Sequence, residues 1–255
     1  MENNEPVKNP IQVADKLFSI LETLAYQGPM GLQDLSVYCK INKSTTHRTL
    51  NSLLYMGYVK QDSTTLKYRL SFKIWELASQ LTSKLDIIEI TRPVIKELVL
   101  KISETVHLVC RDGNNAVYID KVESYSNTIR MASKVGSSIP LYCSAVGKAL
   151  LAGMSDTEIA HIWNMSELST HTEHTIIDFS TFMDEIEVIR KLGYALDNEE
   201  NEKGVRCIAV ALSTQTSRPT YAFSISAPID RMSDLRISEL APEVLLAKQQ
   251  MQERL

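Results

Sequence analysis

The sequence is short of several things, and each shortage closes off a class of function. Its 255 residues contain no apolar run near the ~20 residues that a membrane-spanning helix needs. The four cysteines, Cys39, Cys110, Cys143 and Cys207, stand far apart with no C-x-x-C pair among them. That spacing argues against a cysteine zinc site and predicts four free thiols in a reducing cytoplasm. The polar start, MENNEPVKNP, lacks the pattern of a secretory signal. Glycine is scarce, nine residues in all, and no phosphate-cradling pattern occurs; the lone Gly147-Lys148 pair does not make a P-loop. Internal repeats and low-complexity tracts are missing as well.

Acid is missing from one region in particular. The whole chain carries a net charge of −4, yet residues 1–70 hold eight Lys/Arg against six Asp/Glu. Between 35 and 70, Lys40, Lys43, Arg48, Lys60, Lys67 and Arg69 face a single acid, Asp62. A basic patch on an acidic protein is either a chance solvated face or a surface that meets a polyanion.

What is present there favours the second reading. Val13, Leu17, Ile20, Leu21 and Leu24 recur at helical spacing, which predicts an amphipathic helix over 11–26. GPMG at 28–31 breaks it, and LQDLSVYCK reads as a short second helix. A third helix follows over 44–56, with Leu50, Leu53 and Leu54 as its buried stripe and Gly57 as its stop. On that stripe, Ser44, Thr45, Arg48 and Ser52 face away, Thr49 lies at the edge, and His47 sits nearer the apolar side. The segment YVKQDSTTLKYRL then reads as a hairpin, with Leu66, Tyr68 and Leu70 alternating against Lys67 and Arg69. Three short helices and a two-stranded ribbon make a winged helix-turn-helix, whose last helix enters the DNA major groove by its first turns. Candidate DNA contacts are therefore Lys43, Ser44, Thr45, His47, Arg48, Thr49 and Ser52 on the helix, and Lys67 and Arg69 on the wing. Arg48 can fork onto a guanine edge or pair with a phosphate, whereas the wing offers affinity without sequence. Ser44 is equally suited to capping the helix.

Residues 71–84 read as a linking helix with Phe72, Trp75, Leu77, Ala78 and Leu81 available for packing, and a further helix is expected over 87–103, started or kinked by Pro93. Beyond 105 the pattern is strand, Asp-Gly-Asn-Asn turn, strand, with a third strand at NTIRMASKVG. Helices at 144–153, 155–164 and 178–192, strands at 194–198, 205–213 and 220–227, and a last helix over 232–254 complete an α+β domain with an antiparallel sheet. The expected division is 1–70 for the DNA-binding domain, 71–84 for the linker helix and 85–255 for the second domain.

Three segments of that second domain carry polar groups that need partners. A helix starting near Ser144 opens on small residues, and its free amides suit an anion. Ser224 and Ser226 share one face of a strand, where Asp197 and Cys207 can join them. Together these residues outline a small cavity: amides for a carboxylate, serines and an aspartate for hydroxyl or keto groups, and Met131 as an apolar wall. The alternative is that the serines bond backbone and Cys207 fills the core. A cysteine–histidine enzyme using Cys143 or Cys207 with His107, His161, His171 or His174 has no nucleophile motif to support it. THTEH at 170–174 lacks the spacing of a helical metal site.

INKSTTHRTL, PLYCSAVGKALLA, DNEENEKGVRCIAV and SISAP together resemble the IclR family of bacterial transcription regulators over nearly the whole chain. The resemblance implies a GAF-like effector domain, dimers through the DNA-binding domains and linker helices, and tetramers built as dimers of dimers. It also implies a small carboxylate effector that alters binding to double-stranded operator DNA, with no cofactor, metal or membrane involved. Effector-contacting positions of the family fall on Met131, Ala145, Val146, Asp197, Cys207, Ser224 and Ser226. The segments HLVCRDGNNAVYIDKVES and IPLYCSAVGK are similar to the branch of sugar-acid repressors that respond to 2-keto-3-deoxygluconate or diketogulonate-type compounds. The expected protein is thus a cytoplasmic repressor of a sugar-acid catabolic operon. Its rivals are a regulator with a ligand-free second domain and a cytosolic keto-acid enzyme.

Overall fold

The computed structural model of the chain describes residues 9–82, 86–124, 126, 131–213 and 220–255. It forms two compact units, Met1–Leu85 and Asp86–Leu255.

In the first unit, helices α1 (Gln12–Gln27), α2 (Leu32–Tyr38) and α3 (Lys43–Tyr55) precede a ribbon of β1 (Val59–Gln61) and β2 (Tyr68–Leu70). Ile20, Leu24, Leu35, Leu50, Leu53, Val59 and Tyr68 make its core. Gly57 takes φ +79 just past α3, a backbone that glycine adopts without strain, so the chain turns directly into β1. Helix α4 (Lys73–Thr82) is tied to the end of α3. Ser71 donates to the Gly57 carbonyl at 2.5 Å and Lys73 Nζ to the Met56 carbonyl at 2.8 Å.

Two expectations for this unit need correction. Val13 is exposed rather than part of the buried stripe of α1. Leu66 is 63% exposed with φ +56, so it leaves the ladder instead of sharing a face with Tyr68 and Leu70. The cause is the turn before it. Asp62 Oδ1 accepts from the amides of Thr64 and Thr65, and the Asp62 carbonyl accepts from Leu66 N–H, which swings Leu66 outward.

The second unit is a six-stranded antiparallel sheet in the order β5-β4-β3-β8-β7-β6. Its strands are β3 (Thr105–Asp112), β4 (Asn115–Val122), β5 (Ser138–Pro140), β6 (Ala195–Asn198), β7 (Val205–Leu212) and β8 (Tyr221–Pro228). Helices α5 (Asp86–Ile102) and α9 (Asp234–Gln252) cover the face that carries Val106, Leu108, Ile208, Val210, Phe223 and Ile225. Helix α6 (Ala145–Ala152) covers the other face, backed by α7 (Asp156–Met165) and α8 (Phe179–Leu192).

Pro93 lies inside α5 rather than at its start. The strand expected over 127–136 is not found in its described part: residues 127–130 lie outside the described residues, 131–136 are irregular, and a short β5 pairs with β4 instead. The turn between β7 and β8 lies largely outside the described residues as well.

Candidate nucleic-acid interface and effector pocket

Helix α3 begins at a cap. Asn42 is the N-cap, its side chain accepting from Thr45 N–H at 2.8 Å, and Ser44 Oγ donates to that same Asn42 oxygen at 2.9 Å. Asn42 therefore takes the capping role that the sequence also allowed Ser44. The buried side of α3 holds Thr46, Thr49, Leu50 and Leu53. Lys43, Ser44, His47, Arg48, Asn51 and Ser52 are exposed, and Thr45 is half-buried. Ser44, His47, Arg48, Asn51 and Ser52 follow the i, i+3, i+4, i+7, i+8 rule for one helical face.

Two residues sit otherwise than the leucine stripe implied. His47 is out in solvent, and Thr49, at 7% exposure, is turned into the core. Counting threonine as polar caused the error. Thr46 packs inward while its hydroxyl donates to the Asn42 carbonyl at 3.1 Å, so both of its halves are satisfied in the interior. Asn51 was missed for the same reason.

The wing adds charge. Lys67 and Arg69 are exposed, and Arg69 stands directly opposite Lys60 across the ribbon. Like charges facing one another across a strand pair repel. A phosphate between them removes that cost. Lys60 belongs to this patch although the alternation of apolar and basic residues did not single it out.

In the second unit the face under α6 changes character along its length. Where α6 lies flat, the sheet offers Ala195, Ala209, Ala211 and Ala222, all small. Near the start of α6 the same face becomes polar. Asp197 pairs in register with Cys207, and Cys207 with Ser226; opposed residues of antiparallel strands share a face. Two residues back along β8, Ser224 pairs with His107. Asp197, Ser224, Ser226 and His107 are buried, and Cys207, mid-strand, is half-buried and packs against the core under α6.

The covering layer is held by two sequence motifs. Gly147 lets α6 approach the chain just before it, because a Cβ there would lie 2.2 Å from the Leu141 carbonyl oxygen. Lys148, with 0% exposure, reaches Glu200 at 2.5 Å and Glu185 at 3.1 Å. Burial works against its charge, but the two carboxylates outweigh that and hold its pKa above the ordinary lysine value. The Gly-Lys pair is therefore a packing and anchoring device, not a phosphate loop.

Glu200 belongs to the loop DNEENEKG, which returns under α6. Asp197 Oδ1 accepts from Glu200 N–H at 2.8 Å, and Glu199 Oε2 accepts from Gly204 N–H at 2.8 Å. The segment 170–175, THTEHT, straps that loop: Thr172 and Thr175 donate to the carbonyls of Glu199 and Glu200 at 2.5 and 2.6 Å.

At the opening of α6, Ser144 Oγ accepts from Gly147 N–H at 3.2 Å. The amides of Ala145 and Val146 come first in the helix, where N–H groups lack intrahelical acceptors. Burial raises the Asp197 carboxyl to about 7, above its ordinary carboxylate range. Burial, then the neighbouring Asp197 carboxylate, pushes the Cys143 thiol up to about 12, and Cys207 is raised in the same way. Neither cysteine is poised as a thiolate nucleophile. Met131 is half-buried; Lys121 of β4 donates to its carbonyl at 2.7 Å and to the Ser133 carbonyl at 2.9 Å. His107 is the polar residue of this face that the cavity drawn from sequence did not include. A buried histidine on a strand otherwise reading as core was the signal for it.

A winged helix-turn-helix joined to an α+β domain with a polar face beneath a helix start defines a class, the two-domain DNA-binding regulator. The comparisons make it more specific. Residues 13–63 match the IclR helix-turn-helix domain, and residues 79–253 match the bacterial transcriptional regulator IclR C-terminal domain. The chain is 35% identical over 241 residues to the HTH-type transcriptional regulator KdgR of Escherichia coli (strain K12), covering 94% of this chain and 91% of that protein. It is 34% identical over 219 residues to the DNA-binding transcriptional repressor YiaJ of the same organism, covering 85% and 78%. The crystal structure of the Thermotoga maritima IclR superposes with a TM-score of 0.81 at 28% identity, covering 95% of this chain and 98% of that one. The chain belongs to the IclR family: it is a DNA-binding transcription regulator and not an enzyme. Among the described residues no helix is long and apolar enough to cross a membrane.

Proposed function

We propose that this regulator is a cytoplasmic repressor of a sugar-acid catabolic operon, released or engaged by a small carboxylate bound in the second unit. The observation that carries the proposal is the shared sheet face on which Asp197, Cys207, Ser224 and Ser226 meet below the start of α6. In this reading the Ala145 and Val146 amides take the carboxylate, Asp197, Ser224 and Ser226 take hydroxyl or keto oxygens, and Cys207 and Met131 line the cavity.

On the DNA side, Ser44, Thr45, His47, Arg48 and Ser52 read the major groove, with Asn51 added to them. Lys43, Lys67 and Arg69 hold phosphates together with Lys60. Thr49 supports α3 from within. In this reading the division is a head over 1–70, a linker over 71–84, of which α4 makes Lys73–Thr82 and residues 83 and 84 lie outside the described residues, and an effector domain over 85–255. Leu77 and Leu81 are exposed along one face of α4, with Trp75, 72% exposed, at its edge and Phe72 exposed just before the helix. That face suits pairing with a second copy, in keeping with dimers that associate into tetramers. Because α4 is bonded to the end of α3, a shift of the linker moves the reading helix, and two half-sites then cease to fit both heads.

Thermal unfolding of the full chain against a panel of sugar acids tests the proposal. A ligand at 100 times its dissociation constant adds about 2.7 kcal/mol of stability. Asp197→Ala and Ser226→Ala abolish that gain. A panel in which no acid shifts the transition, or a shift that survives both substitutions, overturns it.

A further inference from the structure

We infer that His107 is a specificity-determining residue of this pocket, reading an uncharged hydroxyl at the end of the effector farthest from its carboxylate. The inference rests on the reading of the pocket above and adds to it which residue separates a hydroxylated acid from a short one.

Three observations carry it. First, position: α6 packs mainly over β6, β7 and β8, whereas His107 stands on β3, beyond them. A ligand whose carboxylate lies at the opening of α6 over β7 must cross two strand spacings, roughly 9 to 10 Å, to reach β3. An acid of two or three carbons stops short of that; one carrying a hydroxylated tail does not.

Second, hydrogen bonding: His107 is 2% exposed, and both ring nitrogens meet hydroxyls, Nδ1 at 3.2 Å from Ser226 Oγ and Nε2 at 2.6 Å from Ser133 Oγ. Ser226 also lies 3.4 Å from Ser224. A neutral imidazole donates through one nitrogen and accepts through the other, and a serine hydroxyl does both. The chain Ser224–Ser226–His107–Ser133 can therefore reverse its donors and acceptors to suit an incoming hydroxyl without creating net charge. Tyr118, with its ring centroid 5.1 Å from that of His107, closes the side of this subsite.

Third, charge: burial, and then Lys121, hold the His107 pKa far down, at about 3, so the ring is neutral at physiological pH. Lys121 stands in register beside His107 on the same face, but it is engaged by Glu123 at 2.9 Å and by two carbonyls. With Lys121 so engaged, this end takes a neutral oxygen, and the carboxylate goes to the α6 amides.

The test uses the full chain and two acids with the same head. Pyruvate has the carboxylate and keto group alone; 2-keto-3-deoxygluconate adds a three-carbon tail with three hydroxyls. Affinities are measured by calorimetry for wild type and His107→Leu, with folding checked by circular dichroism. The expected result is a loss of at least tenfold for the hydroxylated acid and less than twofold for pyruvate. If H107L does not fold, His107→Asn, which keeps a polar group but withdraws it, weakens the hydroxylated acid at least threefold with the same discrimination. Equal losses for both acids, or no loss, overturn the role of His107 and leave the pocket standing. Failure of wild type to bind either acid removes the pocket reading and this inference with it.

Discussion

Replacing Lys148 by methionine isolates the energetics that anchor α6 to α8 and to the loop after β6. The substitution keeps the length and apolar stem of the side chain and deletes one ammonium group. Glu185 is partly exposed and rehydrates when its partner goes. Glu200 is not free to do so: its side chain is 7% exposed, and its Oε2 already lacks a partner. Two outcomes are open to it in K148M, to stay ionised and unpaired or to take up a proton. The second sets the upper limit on the cost. From an ordinary value of 4.5, protonation at pH 7 costs about 3.4 kcal/mol at about 1.36 kcal/mol per unit. That agrees with the roughly 3–5 kcal/mol lost when one partner of a buried pair is removed. The sign with pH follows. In K148M the folded state binds a proton on Glu200 that the unfolded state does not, so stability falls as pH rises above about 4.5. Burial already raises Glu200 in wild type against the pull of Lys148, so the gap to wild type stays below that limit; it is widest at pH 7 and shrinks to under about 1 kcal/mol at pH 5. Adding Glu200→Gln removes the stranded charge and recovers most of the loss at pH 7. Denaturant unfolding followed by the buried Trp163, in a Trp75→Phe background, reads the second unit alone. A loss below about 1 kcal/mol at pH 7, or no recovery in the double variant, refutes the reasoning.

Other outcomes follow from the same structure. Arg48→Ala lowers operator affinity by about 1–3 kcal/mol and relaxes selectivity at one base pair, by gel shift against point-varied duplexes. Lys67→Ala weakens binding to all sequences alike and makes the slope of affinity against salt shallower by about one ion. Gly147→Ala drives a Cβ into the Leu141 backbone and lowers the melting temperature of the second unit, read by Trp163 fluorescence in the Trp75→Phe background. The Asp197 carboxyl, raised to about 7 when folded from an ordinary 3.8, makes stability fall as pH rises between those values. Asp197→Asn, which can keep the amide contacts at Oδ1, therefore gains on wild type by about 1.4 kcal/mol per pH unit across that window.

The architecture was legible because apolar periodicity is set by the core, and the core here is regular. Apart from the strand expected over 127–136, the helices and strands fall within a few residues of where leucine, isoleucine and valine spacing put them. The errors fall where a polar or apolar label misstates what a side chain does. Thr46 and Thr49 are polar by label yet bury their methyl groups, which turned the exposed face of α3 toward His47 and Asn51. Leu66 is apolar by label, but the Asp62 turn takes it out of the ribbon. The shared face of Asp197, Cys207, Ser224 and Ser226 was readable from strand alternation, because β6, β7 and β8 pair without interruption there. The buried pairing of Lys148 with Glu200 was not readable. It joins residues 52 positions apart, and no local rule marks a lysine as interior. His107 was marked by its core-like strand, but its partners Ser133 and Ser226 come from distant segments and were not readable.

The claim on which the account turns is that the reading head and the acid pocket are energetically coupled. Affinity of the full chain for a duplex selected by its own binding, measured with and without a saturating acid that stabilises the second unit, tests this directly. A coupling of 1–3 kcal/mol, or about 5–150-fold in affinity, is the expected result, with Asp197→Ala removing it. DNA affinity identical in the two conditions, with the acid demonstrably bound, contradicts it.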